Sequence, residues 1–127
     1  RIDALDALRA FYLHAELFCL LSQNFEHDIE GFGMVFLEAA AAGLPVVGSK
    51  GNGIEDAMRE GVNGFLVHWQ DEKGELAEKI IAILSDRYLR DKMRRSSLAW
   101  AKDSSWDKKI DACAMLYRTL LHTSQNS

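Results

Sequence analysis

Three short apolar runs, separated from one another by helical segments, constrain the fold of this chain more than any other feature of its sequence. The runs occupy residues 17–21, 45–48 and 65–67. Apolar runs of this length without polar alternation are typical of strands buried on both faces of a parallel sheet. Strands that alternate with helices are joined by right-handed crossovers. The sequence therefore predicts an α/β, Rossmann-like half-domain with a parallel sheet of about three strands and flanking helices.

In the segments before, between and after these strands, apolar residues recur at the spacing of a helix. Helices are predicted at residues 3–16, 34–42, 54–60, 73–84, 86–101 and 106–121. Glu38 is the only charged residue in the helix at 34–42, and Gly43 follows that helix as its C-cap. Two later helices carry apolar stripes that we expect to be buried: Leu76, Ile80, Ile81 and Leu84 in one, and Ile110, Cys113, Leu116, Tyr117 and Leu120 in the other.

The small number of strands indicates part of a larger domain. Open doubly wound sheets of the dinucleotide-binding type have about six strands in two halves. The sequence also opens directly in a helix. We therefore expect residues 1–127 to be one part of a domain rather than a whole one.

Charge and composition narrow the classes of partner and location. The 127 residues carry a net charge of −4, and Lys and Arg are spread along the chain, so no nucleic-acid partner is expected. No stretch reaches the roughly 18 consecutive apolar residues that span a bilayer, so no transmembrane segment is predicted. Cys19 and Cys113 lie in apolar runs without metal-binding spacing, which predicts buried thiols. With no signal peptide at the start of the sequence, we expect a cytoplasmic protein.

Glu38 is the residue whose setting most needs an explanation. A carboxylate among so many apolar neighbours loses hydration and needs hydrogen-bond donors. It either lies on a narrow stripe that faces solvent, or caps neighbouring backbone, or faces a cleft and accepts hydrogen bonds from ligand hydroxyls. The two adjacent hydroxyls of a ribose would suit a carboxylate well.

Two glycines just before the same helix favour a ligand. Gly31 and Gly33 flank Phe32 where a helix begins, and helix N-termini present unpaired N–H groups to anions. Glycine also lets the backbone approach a ligand closely. Taken alone a G-x-G pattern is an ordinary turn, but in a strand–loop–helix unit it indicates a phosphate-bearing ligand.

These residues resemble a known signature. Residues 30–39 (EGFGMVFLEA) followed by residues 43–47 (GLPVV) are similar to the E-x7-E motif of group 1, or family 4, retaining glycosyltransferases. Further similarities follow in the family's order at residues 53–54, 61–67 and 105–106. The resemblance extends from about residue 5 to residue 121.

The resemblance implies a GT-B architecture, in which residues 1–127 form a partial C-terminal, nucleotide-sugar donor-binding domain. It implies that the first motif glutamate, Glu30, is the catalytic residue against the hydroxyls of the donor sugar, and that the second, Glu38, binds the ribose. The backbone amides that would contact the sugar and the diphosphate are those of Gly31, Phe32, Gly33, Met34 and Val35. Enzymes of this type transfer the sugar with retention and need no metal, in agreement with a sequence that has no D-x-D motif.

The resemblance also implies what the chain lacks. The family's basic pair, which neutralises the leaving diphosphate, and its N-terminal acceptor domain both precede the matching region. We therefore expect a hexosyltransferase-type parent that uses a nucleotide-diphosphate sugar, and a chain that is inactive when isolated. The alternative is a non-catalytic GT-B-like assembly module. A GT-B sugar-nucleotide epimerase is disfavoured, because such enzymes lack the arrangement from Glu30 to Glu38.

One prediction concerns association between chains. In the strand order of a doubly wound sheet, the strand at residues 17–21 would have a neighbour on only one side. An apolar strand with an open edge can pair with another chain. We therefore expect a homo-oligomer formed through this sheet edge.

Overall fold

The structure, a computed structural model, describes residues 4–22, 31–51, 53–68, 70 and 74–125. Helices and strands alternate through the first two-thirds of the chain, and three helices follow. The elements in chain order are α1 (Ala4–His14), β1 (Phe18–Leu20), α2 (Met34–Ala41), β2 (Val46–Ser49), α3 (Ile54–Ala57), β3 (Gly64–Val67), α4 (Glu75–Ser85), α5 (Arg87–Asp103) and α6 (Trp106–Gln125).

The three strands form one parallel sheet in the order β1-β2-β3. Phe18 is paired with Val46, and Val46 is paired in turn with Gly64. Gly64 has to be glycine, because a Cβ at this position would lie 1.8 Å from the carbonyl oxygen of Val46. The predicted α/β fold, with its parallel sheet of three strands and flanking helices, is confirmed.

Alternating side chains of β2 point into two separate apolar clusters, one on each face of the sheet. Val46 belongs to the cluster that α2 and α3 cover, which includes Phe36 and Ile54. Val47 belongs to the cluster that α4 and α5 cover. The central strand is therefore buried on both faces, as expected for a continuous apolar run.

α5 is joined to the first half of the chain by hydrogen bonds in its C-terminal part. The hydroxyl of Ser97, which is fully buried, donates to the carbonyl of Leu44 at 2.7 Å. The indole N–H of Trp100 donates to the carbonyl of Ala57, also at 2.7 Å. The guanidinium of Arg59 lies 4.5 Å from the centre of the Trp100 ring. These contacts hold α5 beside the end of α2.

The prediction that the strand at residues 17–21 is buried was wrong for its middle residues. Cys19 and Leu20 are exposed, and only Phe18 and the flanking leucines pack on the two clusters. Within the described residues β1 has a neighbouring strand, β2, on one side only. Cys113, in α6, is exposed as well, so the prediction of two buried thiols was also wrong.

The predicted stripes of α4 and α6 differ from the observed ones. In α4 the fully buried residue is Ile83, whereas Ile81 is 63% and Leu84 44% exposed. The helix is turned so that Leu76 and Ile83 face the sheet. The α6 stripe is exposed along its length, because no other described element covers it.

Candidate functional site

The G-x-G segment forms a tight loop at the start of α2. Gly33 is buried and has φ 71° and ψ 54°. This left-handed backbone conformation is one that residues with a side chain rarely adopt. The N–H of Phe36 donates to the carbonyl of Gly33 at 2.9 Å, which is the first bond of the helix. The loop therefore turns sharply into α2, as the two glycines predict.

Gly48 and Gly53 allow neighbouring parts of the chain to pack closely at this loop. A Cβ on Gly53 would lie 1.5 Å from the carbonyl oxygen of Gly31, so the two backbones are in direct contact. A Cβ on Gly48, at the carboxyl end of β2, would lie 2.7 Å from the side chain of Ile54 and 3.1 Å from Phe36. Glycines at these positions therefore let the loop pack closely against the carboxyl end of the sheet.

The start of α2 is suited to an anion. Its N-cap residue, Gly33, makes no side-chain cap hydrogen bond, and the first turn of the helix contains no acidic residue. Among the described residues, the first amide of this segment with a backbone acceptor is that of Phe36, so the amides of Met34 and Val35 can serve a ligand. The positive end of the helix dipole adds to the attraction for a phosphate.

Glu38 lies one turn further along α2, with an exposed side chain. The hydroxyl of Tyr12, on α1, donates to its Oε2 atom at 3.2 Å. Burial of the phenol, followed by the hydrogen bond to Glu38 and the charge of that carboxylate, raises the pKa of Tyr12 above 10.0. The phenol is therefore a protonated donor at neutral pH.

Glu38 borders two clefts. The first is a cleft of about 790 Å³ between α1 and α2, and its lining includes Leu5, Leu8, Arg9, Tyr12, Leu13 and Glu38. The second is a cleft of about 480 Å³ between α2 and the junction of α5 with α6, and its lining includes Phe32, Met34, Glu38, Ser105, Trp106 and Lys109. Glu38 therefore lies at the boundary of both clefts, where its carboxylate can contact a ligand bound in either one.

The structure brings together some of the predicted site residues. Phe32, Met34 and Glu38 line the second cleft. Gly31 is exposed in the loop before them, and the side chain of Val35 packs against the apolar cluster, which leaves only its backbone for a ligand. Glu30, the predicted catalytic residue, lies outside the described residues.

Tyr12 contacts the candidate site, and the sequence analysis did not single it out. Its position among apolar residues of α1 indicates a core residue, and its ring does pack against the core. Its hydroxyl nevertheless reaches a residue 26 positions away in the sequence. The only signal available was the polar end of a tyrosine on an otherwise apolar helix face, which usually finds a partner when buried.

Lys50 follows β2 at the same end of the sheet but is engaged elsewhere. Its Nζ atom lies 3.9 Å from Oε1 of Glu75, on α4. The other oxygen of Glu75 accepts from the backbone N–H of His68 at 3.1 Å. Lys50 therefore has an acidic neighbour on α4.

The described part of the chain has neither a metal-binding cluster nor a helix suited to a membrane. In residues 4–22, 31–51, 53–68, 70 and 74–125, no three His, Cys, Asp or Glu side chains lie together in a way that could hold a metal ion. None of the helices within these same ranges has the length and apolar character needed to cross a membrane.

Comparison with known proteins identifies the family. The family described as "Glycosyl transferases group 1" matches residues 2–100. The D-inositol 3-phosphate glycosyltransferase of Kribbella flavida is 32% identical over 118 residues, which cover 91% of this chain and 26% of that protein. The enzyme of the same name from Corynebacterium urealyticum is 34% identical over 115 residues, again 91% of this chain and 26% of that protein.

The fold agrees with this match. Sucrose-phosphate synthase from Thermosynechococcus elongatus superposes with a TM-score of 0.71 at 26% identity, over 93% of this chain and 28% of that one. The sheet and its helices thus have the fold of part of a GT-B glycosyltransferase. The chain spans about a quarter of the length of these relatives. On the match over residues 2–100, this chain belongs to the group 1 glycosyltransferases.

Proposed function

We propose that this chain forms part of the C-terminal, donor-binding domain of a retaining, family 4 glycosyltransferase. The observation that carries the proposal is the position of Glu38, an exposed carboxylate one turn beyond the open amide end of α2. A nucleotide-diphosphate sugar has an anionic centre between a ribose and a hexose. The amides at the start of α2 can bind the diphosphate, and the carboxylate of Glu38 can bind the ribose.

Each predicted residue has a role in this proposal. The ribose hydroxyls donate to Glu38, and the diphosphate accepts from the amides of Met34 and Val35. The exposed backbone of Gly31 and Phe32 lies where the sugar would extend, and Gly33 makes the turn that brings them there. Glu30 acts on the donor sugar as the catalytic residue, in the E-x7-E arrangement.

The chain alone is proposed to bind the donor without transferring the sugar. A departing diphosphate needs positive charge in the transition state, and Lys50, which follows β2 at this end of the sheet, has its Nζ atom 3.9 Å from Glu75. The acceptor would bind to an N-terminal domain that faces this one. We propose no metal cofactor, since in the parent enzyme the family's basic pair would stabilise the diphosphate together with the open end of α2. The cytoplasmic location remains a prediction from the sequence.

The test is calorimetric titration of the chain with UDP, GDP and ADP and with their common sugar conjugates. Glu38→Ala is expected to weaken binding of the preferred nucleotide by about tenfold or more, because a hydrogen bond to a charged group contributes roughly 1.5–3 kcal/mol. The matched control is Glu78→Ala. Glu78 is an exposed glutamate on α4, which packs on the other face of the sheet.

Two outcomes would contradict the proposal. Equal weakening by Glu38→Ala and Glu78→Ala would exclude a specific role for Glu38. No binding of any nucleotide would contradict donor binding by this chain, although its membership of the family would stand.

A non-catalytic assembly module is the second candidate. It is favoured by the exposed apolar residues of α6, where Ile110 is 60% and Leu116 59% exposed. The titration separates the two candidates, because an assembly module has no reason to bind a nucleotide through Glu38.

A further inference from the structure

The contact between Tyr12 and Glu38 joins two helices at the proposed donor site. The phenol on α1 donates to Oε2 of the carboxylate on α2 at 3.2 Å, across the first cleft. Both residues are accessible from that cleft, and Arg9 lines it as well. A bond between an exposed carboxylate and a distant tyrosine needs a reason, because surface glutamates are usually satisfied by water.

The ring of Tyr12 is held firmly from behind. Its centre lies 6.0 Å from the centre of the Phe18 ring, on β1. Phe18 in turn meets the fully buried ring of Phe36 edge-on at 5.2 Å. The three rings form a continuous contact from α1 through β1 to α2, so the sheet and core fix the position of the hydroxyl.

Among the described residues, no second side chain holds the Glu38 carboxylate in the same way. It stands on the exposed side of α2 with three rotatable side-chain bonds, and free side chains of this length sample several rotamers. A fixed donor on one oxygen selects the rotamers in which that bond is made. The carboxylate is then oriented before any ligand arrives, which reduces the entropy that binding would cost.

The bond leaves enough of the carboxylate free for a ligand. An ionised carboxylate has about four acceptor positions on its two oxygens. Tyr12 occupies one position on Oε2, so Oε1 and the remaining positions can accept from two adjacent hydroxyls. The phenol therefore orients the carboxylate without blocking it.

We propose that Tyr12 is a positioning residue, whose hydroxyl holds Glu38 in the orientation that accepts the two vicinal hydroxyls of the donor ribose. This inference rests on the donor-binding function proposed above and deepens it. Tyr12 itself is not required to touch the ligand. Its effect is specific to the ribose, because Glu38 is the group through which it acts.

The first experiment tests the hydrogen bond itself. Spectrophotometric titration of the tyrosines in alkali is compared for the chain, Tyr12→Phe and Glu38→Ala. Subtraction of the Tyr12→Phe curve isolates the titration of Tyr12 from those of Tyr88 and Tyr117. Glu38→Ala is expected to lower the pKa of Tyr12, because it removes the acceptor and its negative charge while burial remains. An unchanged pKa of Tyr12 would overturn the proposal.

The second experiment tests the role in ribose recognition. Affinities for UDP and GDP and for their 2′-deoxy forms are measured by calorimetry. Tyr12→Phe keeps the ring packing and removes only the hydroxyl. It is expected to lower affinity for the preferred ribonucleotide by about three- to tenfold. This is less than the loss of a whole hydrogen bond to a charged group, because Glu38 remains and only its orientation is lost. It should lower affinity for the 2′-deoxy form less, because that form presents only its 3′-hydroxyl to Glu38, so the preference for ribose shrinks.

A control variant and two contrary outcomes separate failure of the positioning role from failure of the donor site. Tyr88→Phe, at a tyrosine on α5 that is 77% exposed, should leave all affinities unchanged. If Glu38→Ala removes the preference for ribose and Tyr12→Phe retains it in full, the positioning role is wrong and the donor site stands. If Glu38→Ala has no effect on the preference either, the proposed donor site is wrong and the positioning role falls with it.

Discussion

Gly53 determines how closely the loop at residues 31–33 can approach α3. Its own backbone is ordinary, with φ −64° and ψ −6°, so an alanine would fit the local conformation. What excludes a side chain is the carbonyl oxygen of Gly31, 1.5 Å from the position a Cβ would take. The requirement for glycine at residue 53 is therefore steric.

We predict that Gly53→Ala destabilises the chain and displaces the loop. Overpacking of this kind costs about 1–3 kcal/mol, and here the obstacle is backbone, which cannot turn aside. Chemical denaturation measures the loss, and nucleotide affinity reports on the loop. Gly31→Ala is the control for the denaturation measurement, since a Cβ there meets nothing within 4 Å. Equal stability of the two variants would contradict the steric explanation.

At this scale the sequence predicted the turn but not its support. The left-handed Gly33 at the start of a helix is what a G-x-G pattern indicates. The contact of Gly31 with Gly53, like the bond of Tyr12 to Glu38, joins residues far apart in the chain. Contacts of this kind depend on how the elements pack, and no local pattern specifies that.

Among the elements, α4 shows most clearly what an apolar pattern leaves undecided. At 3.6 residues per turn, Leu76, Ile80, Ile81, Ile83 and Leu84 spread over roughly 160° of the helix surface, which is wider than the roughly 100° of one buried stripe, so the sequence is compatible with more than one buried face. The structure selects the face with Ile83, which packs with Val47 and Met93. The type and approximate bounds of the strands and of α2 could be predicted because short apolar runs and glycine caps are local signals. The orientation of α4 required the sheet beneath it.

We predict that Ile83→Ala costs about 2–5 kcal/mol of unfolding free energy, the range for removing a large side chain from a packed core. Ile81→Ala is the matched control, because Ile81 is 63% exposed and Ile83 fully buried on the same helix. Its cost should stay near 0.5 kcal/mol or below, roughly the value for surface substitutions. Urea denaturation of both variants measures the difference, and a reversed order would show that α4 packs through the face first expected from the sequence.

For the whole molecule, the main feature is the uneven distribution of apolar surface. β2 is buried on both faces, whereas β1 is paired on one side only within the described residues. The N–H of Phe18 points to β2, where it donates to Pro45 at 2.9 Å. Because successive residues of a strand point their backbone groups to opposite edges, Cys19 presents its N–H and carbonyl at the open edge of the sheet.

We predict that the isolated chain self-associates through this edge. Sedimentation velocity at increasing concentration should show a homo-oligomer, measured in reducing buffer so that the exposed thiols of Cys19 and Cys113 cannot cross-link chains. Cys19→Pro should weaken the association, since proline removes only the outward donor and is tolerated on edge strands. Cys113→Ser is the control. A monomer at all concentrations would contradict the prediction.

The contact between the Gly31 carbonyl and Gly53 also restricts how a site of this kind can diversify. The two glycines belong to successive strand–helix units, yet neither loop can change its backbone path alone. A chimera that takes residues 31–33 from a distant relative must take residues 48–54 from the same parent. We expect exchange of either segment alone to strain this contact, and exchange of both together to preserve it.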